Sequence, residues 1–179
     1  LYPWRTIAGR ECSGYYPSGS AQYHINADVA HSFGQYWHLT HDLAFMAEKG
    51  AEVLVETARL WIDAGHMQEG TFRIDDVTGP DEYTCIVNNN YYTNLGAREN
   101  LRNAVAVCRA LMDAGQFEQV YIRTGVTEAE LVAFADAAAC MYLPYDETLG
   151  VYAQDDAFLR KARLELSAIP KANFPLLLH

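Results

Sequence analysis

Basic residues are scarce in this chain. Thirteen lysines and arginines stand against 23 aspartates and glutamates, a formal net charge of -10 over 179 residues. Nucleic acid and anionic membranes both require a basic face, so the balance argues against either partner. It says little about small neutral substrates such as sugars. Cysteine is also sparse. Cys12, Cys85, Cys108 and Cys140 are far apart and form no C-x-x-C pair. That spacing supports neither a disulfide framework nor a zinc site, and it reads as reduced thiols of a cytoplasmic protein. No apolar run approaches the roughly 20 residues of a membrane-spanning helix, and no basic-then-apolar signal opens the chain. Low-complexity tracts are missing, which argues against disorder. Fixed-period repeats are missing, which argues against the common solenoids. No G-x-S-x-G, P-loop or dinucleotide fingerprint is present.

What is present is a chain that is half apolar and long enough for one domain with a real core. Its hydrophobic spacing predicts an all-α, antiparallel architecture. Ala21, Ile25, Val29 and Phe33 place a helix over Ser20 to His38. Leu43, Met46, Val53, Leu54, Ala58 and Trp61 place a second over Leu43 to Ala64, with Gly65 as its stop. A third runs from Tyr92 to Ala114, closed by Gly115. A fourth, Thr127 to Tyr142, opens with a capping box of Thr127 and Glu130. A short fifth is expected over Asp155 to Leu164. Between the second and third, "GTFRIDDVTGPDEYT" carries β-branched residues and turn signals, which predict a short strand pair or an extended loop. The ends look cut. Leu1 opens in full pattern, and "FPLLLH" stops as if still entering a core, so the expectation is a piece of a longer protein.

The stretch "GPDEYTCIVNNNYYTN", residues 79–94, is where the chemistry concentrates. Asp81 and Glu82 have two readings. Carboxylates ahead of a helix meet its free N–H groups and the positive end of its dipole. Alternatively, Glu82 is a general acid, with its pKa raised by Pro80 and Tyr83 as walls and by Asp75, Asp76 and Asp81 as like charges. Asn88, Asn89 and Asn90 could hydrogen-bond sugar hydroxyls, or could form local turns. Trp4, Tyr15, Tyr16, Tyr23, Tyr83, Tyr91 and Tyr92 could offer flat faces to pyranose rings, although helix packing also buries tyrosines. His24, His31 and His38 recur one heptad apart, with Asp28 one turn beyond His24 and "HLTHD" following. A metal would need ligands from several elements, and these fall mostly on one helix; no metal is expected.

"YPWRTIAGRECSGYYPSGSAQYHINADVA" (residues 2–30) and "FRIDDVTGPDEYTCIVNNNYYTN" (residues 72–94) resemble blocks of glycoside hydrolase family 65, the disaccharide phosphorylases and related trehalases. "LPYDETLGVYAQDDAFL" (residues 143–159) and "FPLLLH" resemble later pieces of the same domain. The resemblance implies that residues 1–179 are part of an (α/α)6-barrel catalytic domain. The rest of that barrel and any N-terminal β-sandwich would lie outside the chain. It makes Glu82 the counterpart of the family's general acid, flanked by Asp81 and Tyr83. His24 falls in a block lining the sugar pocket, and Trp4, Arg5 and Glu11 are carried over as substrate-binding residues. His31 and His38 match no motif and keep a structural reading.

The implied reaction is inverting phosphorolysis of an α-glucosidic disaccharide to β-glucose 1-phosphate and a free sugar. Inorganic phosphate would be the co-substrate, with no other cofactor and no metal. The alternatives are a trehalase-like hydrolase whose second carboxylate lies beyond residue 179, and a non-catalytic helical module. The family's phosphate-binding loop and tryptophan-rich glucose site do not appear, so the piece alone is expected to be inactive. The full-length protein is expected to be a homo-oligomer. Linkage (trehalose, maltose, kojibiose or nigerose) is not encoded in these residues.

Overall fold

The computed structural model describes residues 1–3, 5–12, 21–81 and 85–174. Trp4, Tyr15, Tyr16, Glu82 and Tyr83 therefore lie outside the described residues. After a small ribbon of β1 (Thr6–Ile7) and β2 (Arg10–Glu11), the chain enters α1 (His24–Thr40). The predicted start at Ser20 is too early, because the carbonyl of Ala21 accepts the Thr78 N–H at 3.1 Å and serves another segment. The buried face of α1 is His24, Ala27, Ala30, Gly34 and Trp37, spaced as a helix stripe. His41 ends the helix in the left-handed conformation at φ 49. Asp42 then caps the next helix by accepting the Phe45 N–H at 3.0 Å. "HLTHD" is thus a corner between helices.

The chain is helical from Leu43 to Ala64, in three registers: α2 (Leu43–Phe45), a π turn (Met46–Gly50) and α3 (Ala51–Ala64). The hairpin β3 (Gly65–Gln68) and β4 (Thr71–Ile74) follows, turning at Glu69 (φ 51) and Gly70 (φ 79). Two consecutive positive φ values make the tight turn that matches strand twist. Only β4 lies in the outlier segment, residues 70–84; its partner β3 precedes that segment, and residues 75–81 run on as a loop.

Helix α4 (Tyr91–Asp113) packs against α1, α3 and α6 and is the centre of the molecule. Its buried stripe includes Ala97, Leu101, Ala104, Val107, Cys108 and Leu111. One polar tie runs through this core. The Trp61 Nε1–H donates to Asn100 Oδ1 at 2.8 Å, and Asn100 Nδ2 donates to the Leu54 carbonyl at 3.1 Å, joining α4 to α3. Small residues bring α1 close to α4: a Cβ at Gly96 would stand 2.8 Å from that of Ala27, and one at Gly34 would collide with the Asn103 amide.

Beyond α4 come α5 (Glu118–Thr124), which the pattern did not predict, and α6 (Glu128–Ala139), which carries the expected capping box. α6 stops short of the predicted Tyr142 because Cys140 and Tyr142 bond the backbone of Phe72 in β4 at 2.8 and 2.9 Å. The ribbon β5 (Tyr145–Asp146) and β6 (Val151–Tyr152) leads to residues 154–156. The helix expected over Asp155 to Leu164 is absent, and only a 3-10 turn at Phe158–Arg160 remains. The segment closes i to i+3 bonds, from the Phe158, Arg160 and Lys161 N–H groups to the Asp155, Ala157 and Phe158 carbonyls, and extended backbone at Lys161 (ψ 144) ends the turn. The architecture is mostly helical, with three antiparallel two-stranded ribbons among the described residues.

Candidate functional site

The segment between β4 and α4, residues 75–90, is a loop with a pinched neck. Val77 and Val87 exchange both backbone hydrogen bonds, at 3.0 and 2.8 Å, and so close it. Asp81 stands on the far side of that neck, and Glu82 follows it in sequence. Backbone strain is concentrated here: Asp76, Ile86 and Asn89 all adopt positive φ, at 55, 55 and 54. For residues with a side chain this costs about 1 kcal/mol or more each, so surrounding contacts must hold them.

Three elements supply those contacts. The first is the start of α1. The His24 Nδ1–H donates to the Thr78 carbonyl at 3.1 Å, and the Thr78 N–H reaches the Ala21 carbonyl. The second is the start of α4, where Asn90 caps the helix by accepting the Thr93 N–H at 3.0 Å. The third is segment 154–156. Its Gln154 carbonyl accepts the Tyr91 N–H at 2.9 Å and Asn90 Nδ2 at 3.3 Å.

Asn89 joins the second and third. Its Nδ2 donates to Asp156 Oδ2 at 2.8 Å and to Asp75 Oδ1 at 3.3 Å, while its Oδ1 accepts from Asn94 Nδ2 at 3.2 Å. Asn88 Oδ1 accepts the Asp76 N–H at 3.1 Å. All three asparagines thus make structural contacts, but only in part the local ones of the turn reading: Asn89 and Asn90 also reach Asp156 and Gln154, 67 and 64 residues away.

In front of this frame lies a cavity of about 440 Å³, whose walls include Pro80, Asp81, Asn90, Tyr91, Tyr152 and Gln154. Tyr91 and Tyr152 stack at 4.7 Å between ring centroids, and Tyr145 meets Tyr152 edge-on at 4.9 Å. Asp81 Oδ2 accepts the Gln154 Nε2–H at 2.7 Å. Apolar ring faces beside carboxylate and amide groups are the surfaces a pyranose requires: stacking for its C–H face, and donors and acceptors for its hydroxyls.

Tyr92, also in the wall, donates its phenol to Asp28 Oδ1 at 2.7 Å. That bond, burial and the charge of Asp28 together raise the phenol above its ordinary pKa, so it stays neutral.

The residues singled out from the sequence separate into groups. Asp81 is in the cavity wall. His24 is 2% exposed and sits behind the wall, bonded to Thr78 and edge-on to Tyr92 at 5.8 Å. Arg5 and Glu11 belong to the β1–β2 ribbon region. Glu82, Tyr83 and Trp4 lie outside the described residues.

His31 faces Glu99 at 3.1 Å, and His38 Nε2 faces Asn103 Oδ1 at 3.1 Å. Those partners agree with a structural role for both. All four thiols are free: Cys12 and Cys85 exposed, Cys140 half-buried and Cys108 buried. Sequence reasoning missed Gln154, Tyr152 and Asp156. Their only signal was the motif "VYAQDDAFL", whose polar residues have no local pattern.

The model of the glycosyl hydrolase family 65 central catalytic domain matches residues 1–179. Alpha,alpha-trehalose phosphorylase of Geobacillus stearothermophilus is 52% identical over the whole chain, which covers 24% of that protein. The enzyme of the same name from Thermoanaerobacter brockii is 45% identical, again over the whole chain and 24% of the relative. Maltose phosphorylase of Bacillus subtilis is 32% identical over 98% of the chain and 23% of its own length. A solved structure from the human microbiome, named for kojibiose phosphorylase, superposes with a TM-score of 0.80 at 25% identity, over 96% of this chain and 25% of that one. The chain spans about a quarter of the length of these relatives.

Proposed function

The chain belongs to glycosyl hydrolase family 65, and from that premise we propose that it is part of the catalytic domain of an inverting disaccharide phosphorylase acting on α,α-trehalose. The observation that carries this reading is the aromatic cavity with Asp81, the residue before Glu82, in its wall. The identity of 52% to a trehalose phosphorylase, against 32% to a maltose phosphorylase, favours the α,α-1,1 linkage. The helical hairpins supply a portion of an (α/α)6 barrel that flanking parts of the full-length protein complete. That protein is proposed to be a cytoplasmic homo-oligomer needing no cofactor beyond phosphate.

Glu82 is the general acid. Its carboxyl proton passes to the glycosidic oxygen as the bond from anomeric carbon to oxygen breaks, releasing glucose. An oxygen of inorganic phosphate forms the new bond to that carbon from the opposite face, giving β-glucose 1-phosphate. No second carboxylate is needed, because phosphate is already a nucleophile. Asp81, Tyr83, Trp4, Arg5 and Glu11 are proposed to contact substrate. His24 is proposed to serve the same pocket by fixing Thr78 and the neck of the acid's loop.

The test is release of β-glucose 1-phosphate by the full-length protein from trehalose, maltose, kojibiose and nigerose, with and without phosphate. Phosphate-dependent release from trehalose is expected. Phosphate-independent glucose release would replace phosphorolysis by hydrolysis. Glu82→Gln is expected to lower cleavage by about 10²- to 10⁴-fold while leaving the fold intact, and an active variant refutes the assignment.

A further inference from the structure

We propose that Gln154 is a positioning residue for the catalytic acid, acting through Asp81 on the adjacent Glu82. The inference rests on the reading of Glu82 as that acid. Segment 154–156 is held by its own backbone. The Gln154 carbonyl accepts the Tyr91 N–H at 2.9 Å, and the Asp156 N–H donates to the Asn88 carbonyl at 3.2 Å. The Gln154 side chain is not needed for those bonds. It reaches in the other direction, across the cavity wall, and donates Nε2–H to Asp81 Oδ2 at 2.7 Å. The two residues are 73 positions apart, so the bond fixes the loop to a separate part of the fold.

The chemistry makes that bond matter. Asp81 follows Gly79 and Pro80, beyond the pinched neck at Val77 and Val87. Between the last of the backbone anchors, at Thr78, and Glu82 stand Gly79, Pro80 and Asp81 in sequence. A carboxylic acid must sit within hydrogen-bond reach of the glycosidic oxygen, and a misplacement of about 1 Å can cost about 100-fold in rate. The amide also gives Asp81 a directed donor, which orients its carboxylate within the wall. Glutamine suits this task because it carries no charge. A carboxylate in its place would face Asp81 with like charge and no donor.

The test separates leaving groups. Trehalose needs its leaving oxygen protonated, whereas α-glucosyl fluoride releases fluoride with far less help, so only the first reports on the acid. In the full-length protein with phosphate, Glu82→Gln, Gln154→Ala and Gln154→Glu are compared with the wild type on both substrates. Gln154→Ala is expected to lower kcat on trehalose about 10- to 100-fold and to lower kcat on the fluoride by much less. Gln154→Glu is expected to lower it further, with the same split. If Gln154→Ala loses both activities alike, the residue is merely structural and the proposal is overturned. Full activity on both substrates overturns it equally. If Glu82→Gln shows no split, the parent reading falls and this inference falls with it. A split in Glu82→Gln without one in Gln154→Ala refutes the role of Gln154 alone.

Discussion

Replacing Asn89 should loosen the loop that carries Asp81, and the structure sets the size of the effect. Asn89 is 1% exposed and sits at φ 54. Its Nδ2 donates to the Asp156 carboxylate at 2.8 Å, a charge-assisted bond worth about 1.5–3 kcal/mol. The bond to Asn94 at 3.2 Å and the longer one from the Ile74 N–H at 3.4 Å are neutral and contribute about 0.5 kcal/mol each. Alanine would lose all of these. It would also meet the left-handed backbone penalty of about 1 kcal/mol, which asparagine tolerates better. Asn89→Ala should therefore cost about 3–5 kcal/mol of local stability.

Glycine removes the same bonds without the backbone penalty, so Asn89→Gly should recover about 1 kcal/mol of the loss. Aspartate is the sharpest comparison. It keeps the shape but presents a carboxylate to Asp75 and Asp156 in place of a donor, so it should be at least as harmful as alanine. The assay is hydrogen–deuterium exchange of the full-length protein, read on peptides spanning residues 75–90 and 154–156. Local opening free energies are resolved there even where global unfolding is not two-state. Wild-type protection of these peptides in Asn89→Ala would refute the reasoning, as would equal loss in the alanine and glycine variants.

Three further outcomes follow from the same geometry. Gly34→Ala should destabilise the α1–α4 contact by about 1–3 kcal/mol, because the added Cβ meets the Asn103 amide; thermal unfolding checks it, and an unchanged Tm rejects the close approach. Glu130 is held below its ordinary pKa of 4.5, first by the Arg59 side-chain bond and then by the Thr127 cap. A depressed carboxylate contributes stability that is present above pH 4.5 and lost as pH falls through the lower folded value, so Arg59→Met should flatten the acid limb of a Tm-versus-pH curve and leave most of its loss at neutral pH. Burial raises the Cys108 thiol to about 12, so peptide mapping after alkylation at neutral pH should find Cys108 unmodified until the protein is denatured, with exposed Cys12 and Cys85 labelled first.

The features that were legible in the sequence are those whose causes are local. The Thr127–Glu130 capping box needs only four consecutive residues, and it is present as predicted. The helical spans over 24–40, 43–64 and 91–113 lie within a few residues of their predicted bounds, but the stripe read for α1 was wrong: Ile25, Val29 and Phe33 are only half-buried, and His24, Ala27, Ala30, Gly34 and Trp37 face the core. α5 was missed because seven residues are too few for a periodic signal, although Gly125 at φ 61 was a visible stop. The helix expected over Asp155 to Leu164 failed for the opposite reason. Its residues are compatible with a helix, but long-range bonds to Tyr91 and Asn88 fix the chain's entry at positions 154 and 156, and extended backbone at Lys161 ends the turn.

The asparagine run shows why this boundary falls where it does. Read alone, Asn88, Asn89 and Asn90 could serve a sugar or a turn, because one amide chemistry fits both. Distance decides between them. Asn90 bonds three residues on, Asn88 twelve residues back, and Asn89 reaches Asp156 at 67 residues. These asparagines hold the strained positions Asp76 and Asn89, and Asn90 also joins Asp81 and the tyrosines in the cavity wall. The described part of the loop is held from behind, by amides that tolerate positive φ and satisfy several partners at once. The polar residues nearest Asp81 in sequence are the ones most occupied with holding the loop. Those that face the same cavity, such as Gln154 and Tyr152, come from a segment far along the chain.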